Sequence, residues 1–428
     1  MCGIAGTVDI LFSDEDALHA MRHRGPDGRG GVALTVSGRM VRLLHARLSI
    51  LDLSPAGHQP MQSRDGRWWV TFNGEIYNHL ELRERLEGPF RGHSDTETLV
   101  ELIASQGVDA ILPWLNGMFA FSALDTLEGK LYLARDPFGI KPVYFYHEGP
   151  RFAFASEVRT LKAMGLAADG VDREALQLFL ALRYTPSPVT LHRGVRRLPP
   201  GHVLEIDIES GSGRESAYVS PRAERFSGSL GEAAEAYRER LKQAVRRQLL
   251  SDVPVGILLS GGIDSALIAA MAGEAGHALP AFTVGFGGGH GECEIGDAAE
   301  TARVLGLPFH PVEVSPDSLR DALPGIVGSM EEPLGTTSVM PMWHLVQRAR
   351  QDVTVVLTGQ GTDEPWGGYR RYQVEMVRRL LPSPFGASWP VRAGAWICRR
   401  RSSAACAPSA RKTRPGGPCR RRHCSMPI

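Results

Sequence analysis

Met1-Cys2-Gly3-Ile4 opens the chain, and its cysteine sets the reading of everything up to about residue 200. A small side chain behind the initiator methionine makes removal of Met1 chemically easy. Cys2 then carries a thiol and a free α-amine on one residue. An α-amine has an unperturbed pKa of about 8, so it can act as general base for its own side chain. A thiol ordinarily gains its thiolate from a neighbouring base, and here the base is built in. Taken alone, a cysteine at position 2 is a chance placement.

The segments that follow change that. They are His23-Arg24-Gly25-Pro26-Asp27-Gly28, His45-Ala46-Arg47-Leu48-Ser49-Ile50, Phe72-Asn73-Gly74-Glu75-Ile76-Tyr77-Asn78 and Ser94-Asp95-Thr96-Glu97. Each has a local explanation: a Gly/Pro turn, an Asn-Gly hairpin signal, an aspartate capping a helix. Together they supply what amide hydrolysis by a thiol needs. A tetrahedral intermediate carries an oxyanion, for which the Asn73 amide and the Gly74 backbone N–H are suitable donors. A free amino acid needs a cation for its carboxylate and an anion for its ammonium. Arg47 suits the first by bidentate pairing and Asp95 the second. His45, His58 and His93 lie near these motifs and are expected to pack or hydrogen-bond.

With Arg135-Asp136-Pro137-Phe138-Gly139-Ile140-Lys141-Pro142 and Phe154-Ala155-Ser156-Glu157 in the same order, this half resembles the class II glutamine amidotransferase domain. The resemblance implies an α+β N-terminal nucleophile hydrolase, an αββα sandwich. It further implies Cys2 attacking glutamine, Asn73 and Gly74 forming the oxyanion hole, and Arg47, Asn73, Glu75 and Asp95 holding the substrate.

The second half alternates strand and helix patterns from Val253 to Thr358, which predicts a parallel sheet with crossover helices. Leu258-Leu259-Ser260-Gly261-Gly262-Ile263-Asp264-Ser265 follows a strand pattern and opens a helix, the layout of an anion site. It lacks the Gly-Lys-Ser/Thr ending of a P-loop. It resembles instead the pyrophosphate loop of ATP pyrophosphatases, and the order of the two halves resembles the glutamine-hydrolysing asparagine synthetases. That family implies ATP contacts at Leu258, Ser260, Gly261, Gly262, Asp264, Ser265, Val284, Thr358 and Gly359, and Mg2+ on Asp264 and Asp363. It implies aspartate activated as its β-adenylate and amidated by ammonia drawn from glutamine. Gln360 stands where proven members usually carry glutamate, which keeps the shape and loses the charge. A different carboxylate acceptor is therefore the alternative, and a truncated chain retaining only glutaminase or nucleotide binding is a second. Cys293 reads as a quiet thiol. Glu294 and Glu332 are acidic residues in matching segments that would either line the second cleft or be solvated.

Boundaries read as 2–204 for the first domain, 205–231 for a Ser/Gly/Arg-rich linker and 232–381 for an incomplete second domain. Residues 382–428 read as a basic disordered tail. From Met376 to Ile428 there are twelve Lys/Arg and no acid, leaving thirty-six basic against forty-seven acidic residues elsewhere. An acidic body argues against nucleic acid as a partner. Cys398, Cys406, Cys419 and Cys424 with His423 lack the paired spacing of a zinc site, and a frame shift or truncation of the gene is the expected origin of the tail. With no leader, no membrane span and two cysteines before residue 390, a cytoplasmic protein is expected, and a homodimer by resemblance.

Overall fold

The structure, a computed structural model, describes residues 1–167, 170–220, 226–286 and 293–380. The chain divides into two units, Met1–Gln360 and Gly361–Ile428. The first unit holds every strand found among the described residues. In chain order these begin with β1 (Gly3–Val8), β2 (Gly28–Val36), β3 (Arg39–Arg47), β4 (Met61–Gln62), β5 (Trp68–Ile76) and β6 (Gly117–Asp125). Then come β7 (Lys130–Arg135), β8 (Tyr144–Glu148), β9 (Arg151–Ala155), β10 (Val195–Arg197), β11 (His202–Asp207) and β12 (Gly213–Ala217). These form two antiparallel sheets, ordered β10-β8-β9-β1-β3-β2 and β12-β11-β7-β6-β5-β4.

Side chains alternate across a strand, and β1 shows how both faces are used. Ile4 points into the layer between the sheets, against Leu43, Leu124 and Leu133. Ala5 faces the other way, into a cluster with Ala17 and Met21 of the helix Asp14–Met21. On the outer face of the second sheet the helix Asp95–Gln106 buries Leu99 and Ile103 in a cluster with Val70 and Phe72. The result is the expected αββα sandwich, with β1 at the heart of its sheet and Cys2 just before it.

The second half of the first unit is a parallel sheet of β13 (Val255–Leu258), β14 (Ala281–Gly285), β15 (Phe309–Glu313) and β16 (Val355–Thr358), ordered β15-β14-β13-β16. Neighbouring residues of β14 again divide the faces. Ala281 packs with Ala269 and Ala298 of two crossover helices, and Phe282 with Leu345 and Ala349 of the helix Val339–Ala349. From β13 the chain steps to β14 and β15, then returns across β13 to β16. The strand order thus reverses between β13 and β16, the place where open α/β sheets bind ligands at their strand ends.

One expected boundary needs correction. The segment from Glu205 is no linker at its start, because β11 pairs with β7 and β12 with β11. Val203, Leu204 and Ile206 are buried, and the charged residues that suggested a linker form an edge pair, Glu205 with Arg214 at 2.9 Å. The first domain therefore runs to at least Ala217.

The second unit, described to residue 380, contains the helices Asp363–Trp366 and Arg370–Leu380, with the left-handed Gly367 after the first. The expectations for 382–428, including its cysteines and His423, lie outside the described residues. Among the described residues no helix is long and apolar enough to cross a membrane.

Candidate functional site

Cys2 lies in a cleft also lined by Arg47, Asn73, Gly74, Glu75, Asp95 and Lys141. Its sulfur accepts the Leu48 N–H at 3.4 Å and its thiol lies 3.5 Å from the Leu48 carbonyl. Its own carbonyl accepts from Arg24 Nε at 2.9 Å. Burial pushes the Cys2 thiol above its ordinary pKa, while the Leu48 hydrogen bond and the N-terminal ammonium pull it back. That ammonium is here Met1's, and burial lowers its pKa to about 6. An amine of that pKa is mostly neutral at pH 7 and able to take a proton. Removing Met1 would put an α-amine on Cys2 itself.

Asn73 and Gly74 lie in the middle of β5, so the Asn-Gly pair makes no hairpin. Asn73 is 1% exposed, and both its amide atoms are buried without a hydrogen-bond partner. A buried amide left unpaired is costly, so both atoms of the Asn73 amide call for a partner. An oxyanion beside Cys2 is the natural partner for Nδ2. Gly74 is required by its neighbour strand, since a Cβ there would come within 2.4 Å of the Met118 carbonyl.

The charged groups are braced. The Arg47 guanidinium donates to the carbonyls of Ser54, at 3.0 Å, and Asp52. Asp95 opens its helix and accepts the Ile76 N–H at 2.9 Å. Burial raises the Asp95 pKa to about 6, and burial plus repulsion from Asp95 raises that of Glu75 well above the usual carboxylate range. Two acids sharing a buried site cannot both ionise cheaply until a cation arrives. An ammonium is such a cation. His45 is buried and its ring nitrogen lies 3.2 Å from the Phe72 carbonyl, and burial holds its pKa at about 3. It is a neutral hydrogen-bonding residue, as expected.

Sequence reasoning passed over Lys141, Arg24 and Glu157, although all three lie in motifs it singled out. Lys141 is 6% exposed; burial lowers its pKa and the Glu75 charge partly offsets this. The signal was an ionisable residue inside an otherwise turn-forming run.

The second site lies at the reversal between β13 and β16. Ser260-Gly261-Gly262 links β13 to the helix Ile263–Glu274, with Asp264 in the first turn. The buried Ser265 hydroxyl accepts the Ser260 N–H at 3.1 Å and shapes the loop. Gly359, just after β16, is forced by contact with that helix: a Cβ would be 2.6 Å from the Ser265 nitrogen. Thus Leu258, Thr358 and Gly359 border the loop, Leu258 pairing with Thr358, and Val284 is half-buried on the adjacent β14. Gln360 donates its N–H to Thr358 Oγ1 at 3.0 Å. Asp363 belongs to the second unit, in the first turn of its own short helix. Glu294 sits beside the loop, as expected of a cleft residue, whereas Glu332 does not reach it. The Glu332 carboxylate is taken up by Thr185, Leu191 and Arg197. Among the described residues no group of three or more His, Cys, Asp or Glu could hold a metal. Mg2+ seldom needs such a cage, being held by one or two carboxylates and substrate phosphates. Asp264 at an anion loop fits that donor set.

Family models match two stretches: one described as a glutamine amidotransferase domain over residues 1–219, the other as asparagine synthase over 236–418. Asparagine synthetase [glutamine-hydrolyzing] 1 of Bacillus subtilis is 35% identical over 385 residues, covering 87% of this chain and 60% of that protein. A putative asparagine synthetase of Methanocaldococcus jannaschii is 31% identical over 408 residues, covering 89% of this chain and 78% of that one. The amidase chyE of Penicillium rubens is 32% identical over 407 residues, covering 90% and 58%. The chain thus spans about 60% of the length of the Bacillus relative.

Proposed function

The chain belongs to the glutamine-hydrolysing asparagine synthetase family, and from that premise we propose that it takes ammonia from glutamine at Cys2 and transfers it to a carboxylate activated by ATP. One observation carries the first half: Cys2 shares its cleft with an unpartnered Asn73 amide, a braced arginine and two acids poised for an ammonium.

After Met1 is removed, the Cys2 amine takes the thiol proton as sulfur adds to the glutamine amide carbon. Asn73 Nδ2 and the main chain at Gly74 hold the oxyanion. The amine returns the proton to the leaving nitrogen, ammonia departs, and water hydrolyses the thioester to glutamate. Arg47 binds the substrate carboxylate, and Asp95 and Glu75 its ammonium.

In the second half the Ser260–Ser265 loop binds the ATP phosphates at a helix N-terminus, with Leu258, Val284, Thr358 and Gly359 around the nucleotide. Mg2+, where bound, would supply charge neutralisation of pyrophosphate at Asp264. The acceptor we propose is aspartate, giving asparagine. Gln360 favours a second reading in which another carboxylate is amidated. A cytoplasmic location and a homodimer belong to the same proposal.

The test is AMP formation from ATP and Mg2+ with aspartate and ammonium chloride. Aspartate-dependent AMP with equimolar asparagine supports aspartate as acceptor. AMP only with a different carboxylate supports the second reading, and AMP with none contradicts both.

A further inference from the structure

Two consecutive glutamates bond the parallel-sheet half to the sandwich, and only one of the two leads to Cys2. Glu331 and Glu332 lie between the helices Pro316–Ser329 and Val339–Ala349. Glu332 accepts from Thr185 Oγ1 at 3.0 Å and the Leu191 N–H at 2.8 Å, and pairs with Arg197. Glu331 instead accepts the Arg159 N–H at 2.9 Å and pairs with the Arg159 side chain. Arg159 Nε also lies 3.2 Å from Glu157 Oε2. Glu157 Oε1 accepts from Arg24 Nη1 at 2.8 Å, and Arg24 Nε donates to the Cys2 carbonyl at 2.9 Å. The side chains of Arg24 and Glu157 are both 7% exposed, so this pair is little screened by water. His23 closes the circle around Glu157 at 3.0 Å.

We propose that Glu331 is a positioning residue for the Cys2 reaction, acting through Arg159, Glu157 and Arg24 on the Cys2 main chain. The inference rests on Cys2 being the reactive thiol. Glu331 and Glu157 share Arg159. Without the Glu331 charge, Arg159 has one carboxylate left and draws Glu157 toward itself. Arg24 then loses its fixed partner, the Cys2 carbonyl loses its anchor, and the sulfur drifts from the Leu48 N–H that favours the thiolate. Events that move residues 330–332 are thereby transmitted to the thiol.

The test is the pH profile of Cys2 alkylation by iodoacetamide on the full chain, read peptide by peptide by mass spectrometry with Cys293 as internal reference. Glu331→Gln is expected to raise the profile's midpoint and slow Cys2 alkylation at pH 7 about fivefold relative to Cys293. Glu332→Gln loosens the same interface without touching Arg159 and is expected to leave the profile in place. A Glu331→Gln profile matching the unaltered chain overturns the proposal. So does an equal shift in Glu332→Gln, which would make the effect general loosening. Failure of the glutaminase reading is a separate result: alkylation at Cys2 as described, with no glutamine hydrolysis by the unaltered protein.

Discussion

Glu294 Oε2 accepts the Gly261 N–H at 3.1 Å, so a carboxylate occupies a backbone donor of the loop that the sequence assigns to phosphate. Anion-binding loops discriminate by charge more than by shape, and a side-chain carboxylate is a fair imitation of one phosphate oxygen. On the proposed function, ATP would have to displace it. Hydrogen bonds to charged groups contribute about 1.5–3 kcal/mol, part of which ATP binding would have to overcome. Replacing Glu294 with Ala should therefore lower the KM for ATP roughly three- to tenfold in the ammonium-dependent reaction. A raised KM would instead assign Glu294 a direct role in holding the nucleotide.

Asp95 links pH and stability and, on the proposed function, substrate. Its pKa of about 6 stands above the ordinary 3.8, so the folded chain holds that proton more tightly than the unfolded one. Stability from this group is present at low pH and is lost as pH rises through that interval. Asp95→Asn removes the loss and should stabilise the protein above pH 6 by on the order of 1–2 kcal/mol, read by thermal or denaturant melting. It should also reduce kcat/KM for glutamine about a hundredfold. In the unaltered enzyme the KM for glutamine should rise as pH falls below 6, because the ammonium loses its anion.

The N-terminus gives a third test. A lysine inserted between Met1 and Cys2 blocks methionine removal and leaves the thiol without an α-amine on its own residue. Glutamine-dependent ammonia release should fall at least a hundredfold, with ammonium-dependent AMP formation unchanged. The mature protein should have the mass of a chain beginning at Cys2.

Asp252 joins the two halves of the first unit at a second place. It accepts from the Asp52 N–H at 2.7 Å and lies 2.7 Å from His93 Nε2, while its own N–H donates to the Ile50 carbonyl at 3.0 Å. Burial alone would raise its pKa, but the His93 and Asp52 hydrogen bonds hold it below the usual carboxylate range. Its contribution to stability is thus present above the ordinary aspartate pKa and lost as pH falls through its lowered folded value. Asp252→Ala should cost about 1–3 kcal/mol at pH 7, with the gap to the unaltered chain closing in acid.

How much of this was legible depended on how local each signal was. β3, β5 and β6 announce themselves as apolar runs of strand length, whereas β1 hides because Gly3 and Gly6 dilute its apolar pattern. β11 and β12 were lost inside a Ser/Gly/Arg-rich run, although Val203, Leu204 and Ile206 are buried. Cys2, Arg47, Asn73, Glu75 and Asp95 were readable because each sits in a compact motif with a chemical purpose, and the fold brings all five to one cleft. Glu331 could not be read in the same way. Its partner Arg159 lies 172 residues earlier, and nothing near either residue announces the other.

In the proposed function Cys2 feeds ammonia to the ATP-dependent half. This is tested most directly by comparing the unaltered chain with Cys2→Ala, measuring glutamate, AMP and amide product with glutamine or ammonium chloride as nitrogen source. The unaltered chain should use both sources, and Cys2→Ala should make AMP and product from ammonium alone, with no glutamate from glutamine. Glutamine-dependent product from Cys2→Ala, or none from the unaltered chain while ammonium works, would contradict it.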